Sequence, residues 1–317
     1  MDNYKKLQEL IKEYENTKIW KYVDGDDIFK LDGFDEQIYV SIMGRAGLDC
    51  SIAIYYGEQD LLSQMDISFG QYKNSPDAFL RLSAYKIEIG DPGNLLNKED
   101  KKQLKKHNIK PKNVTIRLDA GKTPRLITEE ETLFLIDILK RIIAIANYII
   151  NRDFKIELVK PKYMYCFNDN EGTIIAKQIK WPILKYEFTN QQKLNQDLIG
   201  QMTWINNTKT LEIGMFYLPM FIEETKSYPR IIIIYDGESD LIIDMIIVND
   251  NEIDMIAHNI LKSLINRKTK PSKITFNSNE IVDICKDIIM EFELLFRVDE
   301  NMDNLFDIWI DMYENAK

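Results

Sequence analysis

The 317-residue chain has few of the residues that build disulfides, metal centres or catalytic triads. Its three cysteines, Cys50, Cys166 and Cys285, are odd in number and far apart, so their spacing indicates neither a disulfide framework nor a zinc site. His107 and His258 have no catalytic partner in view, which argues against a Ser-His-Asp triad. We therefore expect a reducing compartment and no cofactor.

Long apolar runs are also missing. No segment approaches the roughly 20 apolar residues of a membrane helix, and the N-terminus alternates Lys and Glu with Leu, Ile and Tyr, unlike a signal peptide. We therefore expect a cytoplasmic protein that does not bind a membrane. The formal net charge of −10 argues against a general affinity for nucleic acid.

One basic segment stands apart from this acidic background. Residues 97–108 contain five lysines and are expected to form a helix. A solvated helix face is the simpler interpretation, and a patch that binds phosphate or acidic groups is the alternative.

The strongest hairpin pattern in the sequence lies between Pro229 and Asp250. Two apolar, β-branched runs, Ile231 to Tyr235 and Leu241 to Val248, flank the polar turn Asp236 to Asp240. Short runs of this kind on either side of Asp-Gly predict a β-hairpin. Because the first run has no polar alternation, we expect it to be buried on both faces in the middle of a sheet. The residues that follow predict helix, strand, helix, strand and helix.

The first half of the chain is dominated by one predicted helix. Thr128 and Glu131 have the spacing of a capping box, and the apolar face from there to about Ile150 is wide. We expect this helix to be the central helix of a first domain. An amphipathic helix is predicted over 2–17, and strands are predicted over 37–43, 50–56, 84–89, 114–118, 155–159, 163–167 and 173–179.

A chain of this length can form two domains, each with its own core. The polar segment 189–200, rich in Gln and Asn, is the best candidate for a linker. We therefore predict an α+β fold with an N-terminal domain at 1–188, a linker at 189–200 and a C-terminal domain at 201–317. The first domain is expected to hold a mixed sheet with the long central helix.

Short motifs occur in both halves of the chain. In the first half they are Asp27-Ile-Phe, Tyr39-Val-Ser-Ile-Met-Gly44 with Tyr56-Gly57, and Gly121-x-x-Pro124 before Thr128-Glu-Glu-Glu. In the second half they are Phe216-Tyr-Leu-Pro-Met220, Tyr228-Pro-Arg and Tyr235-Asp-Gly. Together these motifs resemble a two-domain bacterial family of unknown function. The resemblance covers most of the chain and implies an architecture, not an activity.

The second domain also resembles a reduced ribonuclease-H or integrase core, which implies a β-hairpin followed by alternating helices and strands. Such cores hold divalent metal ions on two or three converging carboxylates. Asp236 matches the first acidic position, but Asn277 to Asn279 stand where the second acid is expected. Glu280 lies just beyond, and Asp303 or Asp307 would supply a third acid. One carboxylate with neutral amides binds Mg²⁺ poorly.

These observations favour a non-catalytic binding or scaffold protein of the bacterial cytoplasm, with a protein partner that the sequence does not identify. The alternative is a divalent-metal phosphoesterase or nuclease in which Asp236, Glu280 and Asp303 hold the metal. A third possibility is a small-molecule sensor built on the first domain. Nucleic acid and membranes are not expected as partners.

Overall fold

A computed structural model of the chain describes residues 2–47, 50–68, 75, 77–91, 95–107, 109–152, 154, 163–170, 172–185, 194–299 and 301–315. The chain divides into two compact units, each of which contains helices and a mixed sheet. The predicted α+β fold class is confirmed. Unit 1 consists of Met1–Met65 and Leu82–Lys185, and unit 2 consists of Asp66–Arg81 and Tyr186–Lys317.

In one segment, the two units do not follow the predicted division into domains at 1–188 and 201–317 with a linker at 189–200. Asp66–Arg81 lies inside the predicted first domain but belongs to unit 2. In the predicted linker, residues 189–193 lie outside the described residues, and helix α5 begins at Gln196. This helix forms because Met202 is fully buried in the core of unit 2 and Leu198 packs beside it.

Unit 1 is built on an eight-stranded sheet in the order β6-β5-β4-β3-β2-β1-β7-β8. Neighbouring strands are antiparallel except β1 and β7, which are parallel. The predicted strand at 155–159 lies outside the described residues. The strands are β1 (Phe29–Leu31), β2 (Ile38–Met43), β3 (Ser51–Tyr56), β4 (Ala84–Glu88), β5 (Thr115–Leu118), β6 (Arg125–Leu126), β7 (Tyr163–Asn170) and β8 (Thr173–Lys180).

The helices of unit 1 are α1 (Asp2–Thr17), α2 (Gly57–Ser68, whose last three residues belong to unit 2), α3 (Lys98–Lys106) and α4 (Glu129–Asn151). The capping box that opens α4 is confirmed, with the Thr128 side chain accepting from the Glu131 N–H and Glu131 accepting from the Thr128 N–H. Buried apolar side chains line α4 along its length and join the strands and α1 in one core. The prediction of a central helix is thereby confirmed.

In unit 1, a series of alternating charges joins α2, β5, β6 and the start of α4. Arg117 contacts Asp60 at 2.6 Å and Asp119 at 2.8 Å, and Arg125 contacts Asp119 at 3.3 Å. Arg125 also donates two hydrogen bonds of 2.9 Å, one to each oxygen of Glu131. Glu131, which closes the capping box of α4, is thereby held by a bidentate pair with Arg125 of β6. Asp119 links Arg125 in turn to Arg117 of β5.

Unit 2 is built on a five-stranded sheet in the order β11-β10-β9-β12-β13. The first three strands of unit 2, β9 to β11, form an antiparallel meander, and β12 and β13 run parallel to β9. The strands are β9 (Thr208–Tyr217), β10 (Arg230–Asp236), β11 (Leu241–Val248), β12 (Lys270–Phe276) and β13 (Leu295–Val298).

The predicted isoleucine strand is confirmed as a central strand. β10 pairs with β9 on one side and β11 on the other, and Ile231 to Ile234 have no solvent exposure. Ile232 and Ile234 face the core under the helices at 196–203, 256–266, 279–284 and 286–291, whereas Ile231 and Ile233 face the helix at 303–315. Burial on both faces explains why this run lacks the polar alternation of a half-exposed strand.

Helices cover both faces of this sheet. Helix α9 packs through Trp309, whose ring stacks on Phe216 at a centroid distance of 4.9 Å, and Gly214 leaves room for Leu305. The helical segment between Asn279 and Glu291 is interrupted at Cys285, where ψ is 7°. In the described part of the chain, no helix is long and apolar enough to cross a membrane. The helices are α5 (Gln196–Thr203), α6 (Ile256–Asn266), α7 (Asn279–Ile284), α8 (Lys286–Glu291) and α9 (Asp303–Asn315).

The Glu131 pairing predicts a defined acid sensitivity. Burial would raise the pKa of Glu131, but hydrogen bonds from Arg125 and Thr128 outweigh it and lower the pKa from 4.5 to about 2. Since the unfolded chain takes up the proton first, the stabilisation is complete above pH 4.5 and is lost as the pH falls toward 2. At neutral pH, Glu131→Gln is expected to lower the free energy of unfolding by about 1 kcal/mol, because Arg125 is partly exposed.

Urea denaturation of the wild type and Glu131→Gln across this pH range measures the effect. The difference between the two proteins is expected to shrink as the pH falls below 4.5. Glu130→Gln, at an exposed position in the same helical turn, is the matched control. A difference that stays constant down to pH 2 would contradict the assignment.

Candidate functional site

Buried charges collect at one end of the sheet in unit 2. There β9 and β12 end, β10 begins, and α7 starts directly after β12. Four side chains meet at this point: Asp77, Arg81, Arg230 and Glu280, each at most 8% exposed. We call these four residues the buried ion quartet. Two of its members come from the short segment Asp66–Arg81 and two from the sheet and α7.

The quartet forms a continuous series of opposite charges. Glu280 accepts from Arg230 at 2.5 Å through one carboxylate oxygen and from Arg81 at 3.3 Å through the other. Arg81 in turn donates to Asp77 at 3.0 Å. Because removing an ion from water costs several kcal/mol, each of these charges is tolerated in the interior only beside an opposite charge. Two cations and two anions leave the quartet neutral as a set.

Tyr217, the last residue of β9, stands beside both guanidinium groups. Arg230 donates a 2.7 Å hydrogen bond to the Tyr217 hydroxyl and lies over its ring, with 4.8 Å between the guanidinium carbon and the ring centroid. Burial raises the pKa of Tyr217, so the hydroxyl stays neutral. Burial alone would lower the pKa of Arg230, but the charge of Glu280 more than compensates and raises it. The arginine is therefore fixed as a cation.

The quartet also satisfies the end of β9. Arg81 donates to the Met215 carbonyl at 2.9 Å, and the Tyr217 N–H donates to Asp77 at 2.8 Å. Asn277 binds the same strand with both ends of its amide: its oxygen accepts from the Met215 N–H at 3.1 Å, and its nitrogen donates to the Met215 carbonyl at 3.2 Å. A carboxylate has no donor for that carbonyl, so an amide is the side chain that fits.

Asp236 lies at the other end of β10 from Arg230. Seven residues of strand separate these ends by about 20 Å. Asp236 is 1% exposed, and its carboxylate accepts from Ser239 at 2.6 Å and from Lys209 at 3.0 Å. Burial would raise the pKa of Asp236, but these two hydrogen bonds outweigh it and the pKa is lowered. Asp236 thus organises the hairpin turn and pairs with a lysine.

The structure does not bring the predicted metal ligands together. Glu280 is enclosed by two arginines, whereas Asp236 lies at the opposite end of β10 beside Lys209. Asp303 is exposed in the first turn of α9. Among the residues that the structure describes, no group of three Asp, Glu, His or Cys side chains has a geometry that would hold a metal ion.

Sequence reasoning missed three members of the quartet. The sequence could have indicated Arg230, because a charged residue that opens a fully apolar strand needs a buried partner. For Asp77 and Arg81 the only indication is weaker: their four-residue spacing suits an ion pair on one helical turn. Nothing in the sequence connects them with Glu280, about 200 positions away.

A second feature of unit 2 is the surface of its edge strand. On the α9 face of the sheet, Ile242, Met245 and Ile247 are 43%, 46% and 56% exposed, and they lie beside the buried Tyr235, Ile233 and Ile231. We call these three exposed residues the β11 stripe. In the described residues β11 has a partner on one side only. Edge strands are commonly protected by charge or proline, so a long apolar edge indicates a place where another chain binds.

Comparison with known proteins assigns the chain to domains without a known activity. The model of the domain of unknown function DUF7309 matches residues 4–166. The model of the domain of unknown function DUF6930 matches residues 202–313. The buried ion quartet takes two residues from each matched region. The searches among curated proteins and among solved structures gave no match.

The quartet predicts strong energetic coupling between Arg230 and Glu280. Either single change, Arg230→Met or Glu280→Met, leaves an unbalanced buried charge and is expected to cost about 3–5 kcal/mol. The double variant leaves the neutral pair Asp77–Arg81 and is expected to cost less than the sum of the single changes, with a coupling of about 1.5–3 kcal/mol. Chemical denaturation of the four proteins measures this coupling.

The matched control is the cycle at Arg297 and Asp299, an ion pair of 3.4 Å in unit 2 whose side chains are 57% and 35% exposed. Water screens such a pair, so its coupling is expected to be below about 1 kcal/mol. Equal coupling in both cycles would show that the quartet has no special role in stability.

Proposed function

We propose that this chain, which belongs to the family defined by the domain of unknown function DUF7309, is a non-catalytic binding or scaffold protein. The observation that carries the proposal is the use of Asn277 and Glu280. Asn277 lies where the resemblance to a ribonuclease-H core calls for a metal-binding acid, and Glu280 lies just beyond. Both are committed to internal contacts: Asn277 to the backbone of Met215, and Glu280 to two arginines.

The arrangement of unit 2 supports a reduced ribonuclease-H-like core. An antiparallel meander is followed by helix, strand, helix, strand and helix, the order that the resemblance implies. In such a core, a metal ion needs carboxylates that are free to coordinate it. Here a cation already neutralises each candidate that is buried, Lys209 for Asp236 and two arginines for Glu280. We infer that unit 2 retains the shape of such a core but does not bind metal ions.

We place the partner on the β11 stripe. An extended segment of a partner protein that pairs with β11 gains main-chain hydrogen bonds along the strand. Its apolar side chains cover Ile242, Met245 and Ile247 at the same time, which removes exposed apolar area from water. None of the three cysteines, all of them among the described residues, forms a disulfide, which suits a reducing compartment, and we propose the bacterial cytoplasm as the location.

The metal-dependent alternative makes a distinct prediction. A phosphoesterase or nuclease that uses Asp236 would bind Mn²⁺, and Asp236→Ala would remove that binding. We expect titration calorimetry to show no Mn²⁺ binding that differs between the wild type and Asp236→Ala, because Lys209 occupies the carboxylate. Asp303→Ala, at an exposed position, is the control for weak surface binding. Saturable binding lost only in Asp236→Ala would favour the enzyme.

The binding surface is tested with Ile247→Lys, which places a charge in the β11 stripe. Proteins retained from a lysate of the native host are compared for the wild type, Ile247→Lys and Leu295→Lys. Leu295 is 70% exposed on β13, the other edge of the same sheet, and is the matched control. We expect a partner that the wild type and Leu295→Lys retain and that Ile247→Lys loses by about tenfold or more, equal to 1.4 kcal/mol.

The outcome that contradicts this surface is equal retention by all three proteins. Circular dichroism of each variant checks that the fold is unchanged. Since both substitutions are at exposed edge positions, each is expected to change stability by no more than about 0.5 kcal/mol.

A further inference from the structure

Helix α3 in unit 1 presents a face made only of lysines. Its five lysines, at positions 98, 101, 102, 105 and 106, are exposed and fall within an arc of about 140°, at 3.6 residues per turn. The buried residues Asp100 and Leu104 lie on the opposite side. The arrangement places five positive charges on one surface of an otherwise acidic protein.

Helix α9 in unit 2 presents the opposite charge in the same way. Asp303, Asp307, Asp311 and Glu314 are exposed and fall within an arc of about 80°. The buried Leu305 and Trp309 lie on the far side. The helix contains no lysine or arginine, so nothing along its length balances these acids.

Both faces are unfavourable for the isolated helices. Like charges four residues apart repel, and acids near the C-terminal end oppose the helix dipole, as Asp311 and Glu314 do. The ion pairs among the described residues include none of the five lysines or four acids. Glu99 borders the lysine face, but within each arc only one sign of charge is present, so the two surfaces match each other.

We propose that the lysine face of α3 on one copy of the chain docks on the acidic face of α9 on a second copy. From Lys98 to Lys106 the lysine face is about 12 Å long, and from Asp303 to Glu314 the acidic face is about 16 Å long, at 1.5 Å per residue. Five positive charges therefore meet four negative charges over nearly the same length.

A second copy is the occupant that the charges favour. With a net charge of −10, two copies repel each other unless an oriented contact brings opposite charges together. The α3–α9 pairing supplies such a contact, and it fixes both the orientation and the partner. Because these groups are exposed, the association is expected to weaken steeply as salt is added. This surface is separate from the β11 stripe, and the proposal does not depend on the proposed function.

The test is a charge swap in the full-length chain. One variant carries Lys98→Glu, Lys101→Glu and Lys102→Glu, and the other carries Asp307→Lys, Asp311→Lys and Glu314→Lys. Each exchange places the sign of charge that suits its helix end, acids toward the N-terminus of α3 and lysines toward the C-terminus of α9, so both helices are expected to fold. Combining the two variants in one chain leaves the net charge unchanged.

Sedimentation velocity at about 50 mM and about 500 mM NaCl gives the oligomeric state of each protein. We expect the wild type to form dimers at low salt and to dissociate at high salt. Each single swap is expected to raise the dissociation constant at least tenfold. An equal mixture of the two variants, or the chain that carries both swaps, is expected to associate again.

The control reverses three exposed lysines of α1, Lys5→Glu, Lys6→Glu and Lys12→Glu, and so has the same net charge as the α3 variant. Its association should exceed that of the α3 variant. A wild type that is monomeric at low salt overturns the proposal. Loss of association in the control to the same degree overturns it too, since net charge alone would then be the cause. Failure of both the mixture and the combined swap rules out α9 as the partner of α3.

Discussion

The buried ion quartet of unit 2 fixes the positions of the elements around it. Four charges lie out of water, and each is stable only while the others are in place, since an unpaired buried charge costs several kcal/mol. Asp77 and Arg81 arrive on a short segment, Arg230 on the first residue of β10, and Glu280 on the first turn of α7. The end of the sheet is therefore held in one arrangement.

The same cluster explains why the fold offers little room for metal chemistry at that end of the sheet. Arginine keeps its charge under all ordinary conditions and pairs with carboxylates in two-pronged geometry. Glu280 is held by two of them, and Asn277 extends the β9–β12 pairing with its amide. Both side chains therefore serve cohesion at this end of the sheet. The acidic turn at Asp236 follows the same pattern, with Lys209 as the partner.

Among the described residues, two surface features of unit 2 have no partner within the unit. The buried ion quartet and Asp236 pair with opposite charges, whereas the apolar β11 stripe and the acidic face of α9 are exposed to solvent. Apolar edge strands and one-sided charge are both costly for a protein that acts alone, through aggregation in one case and repulsion in the other. In a protein that binds other chains, both features would be covered at interfaces. The two proposals share this premise.

Local sequence patterns determined the elements of this protein. The Asp236–Gly237 turn between apolar runs specified the hairpin, the unbroken isoleucines specified a strand buried on both faces, and Thr128 with Glu131 specified the start of α4, because each depends on neighbours in sequence. The tertiary structure alone decided which charges meet. Asp77 and Glu280 are 203 positions apart, and only the path of the chain into unit 2 joins them to one network. Periodicity reports which side of an element is buried, but not which distant side chain shares that space.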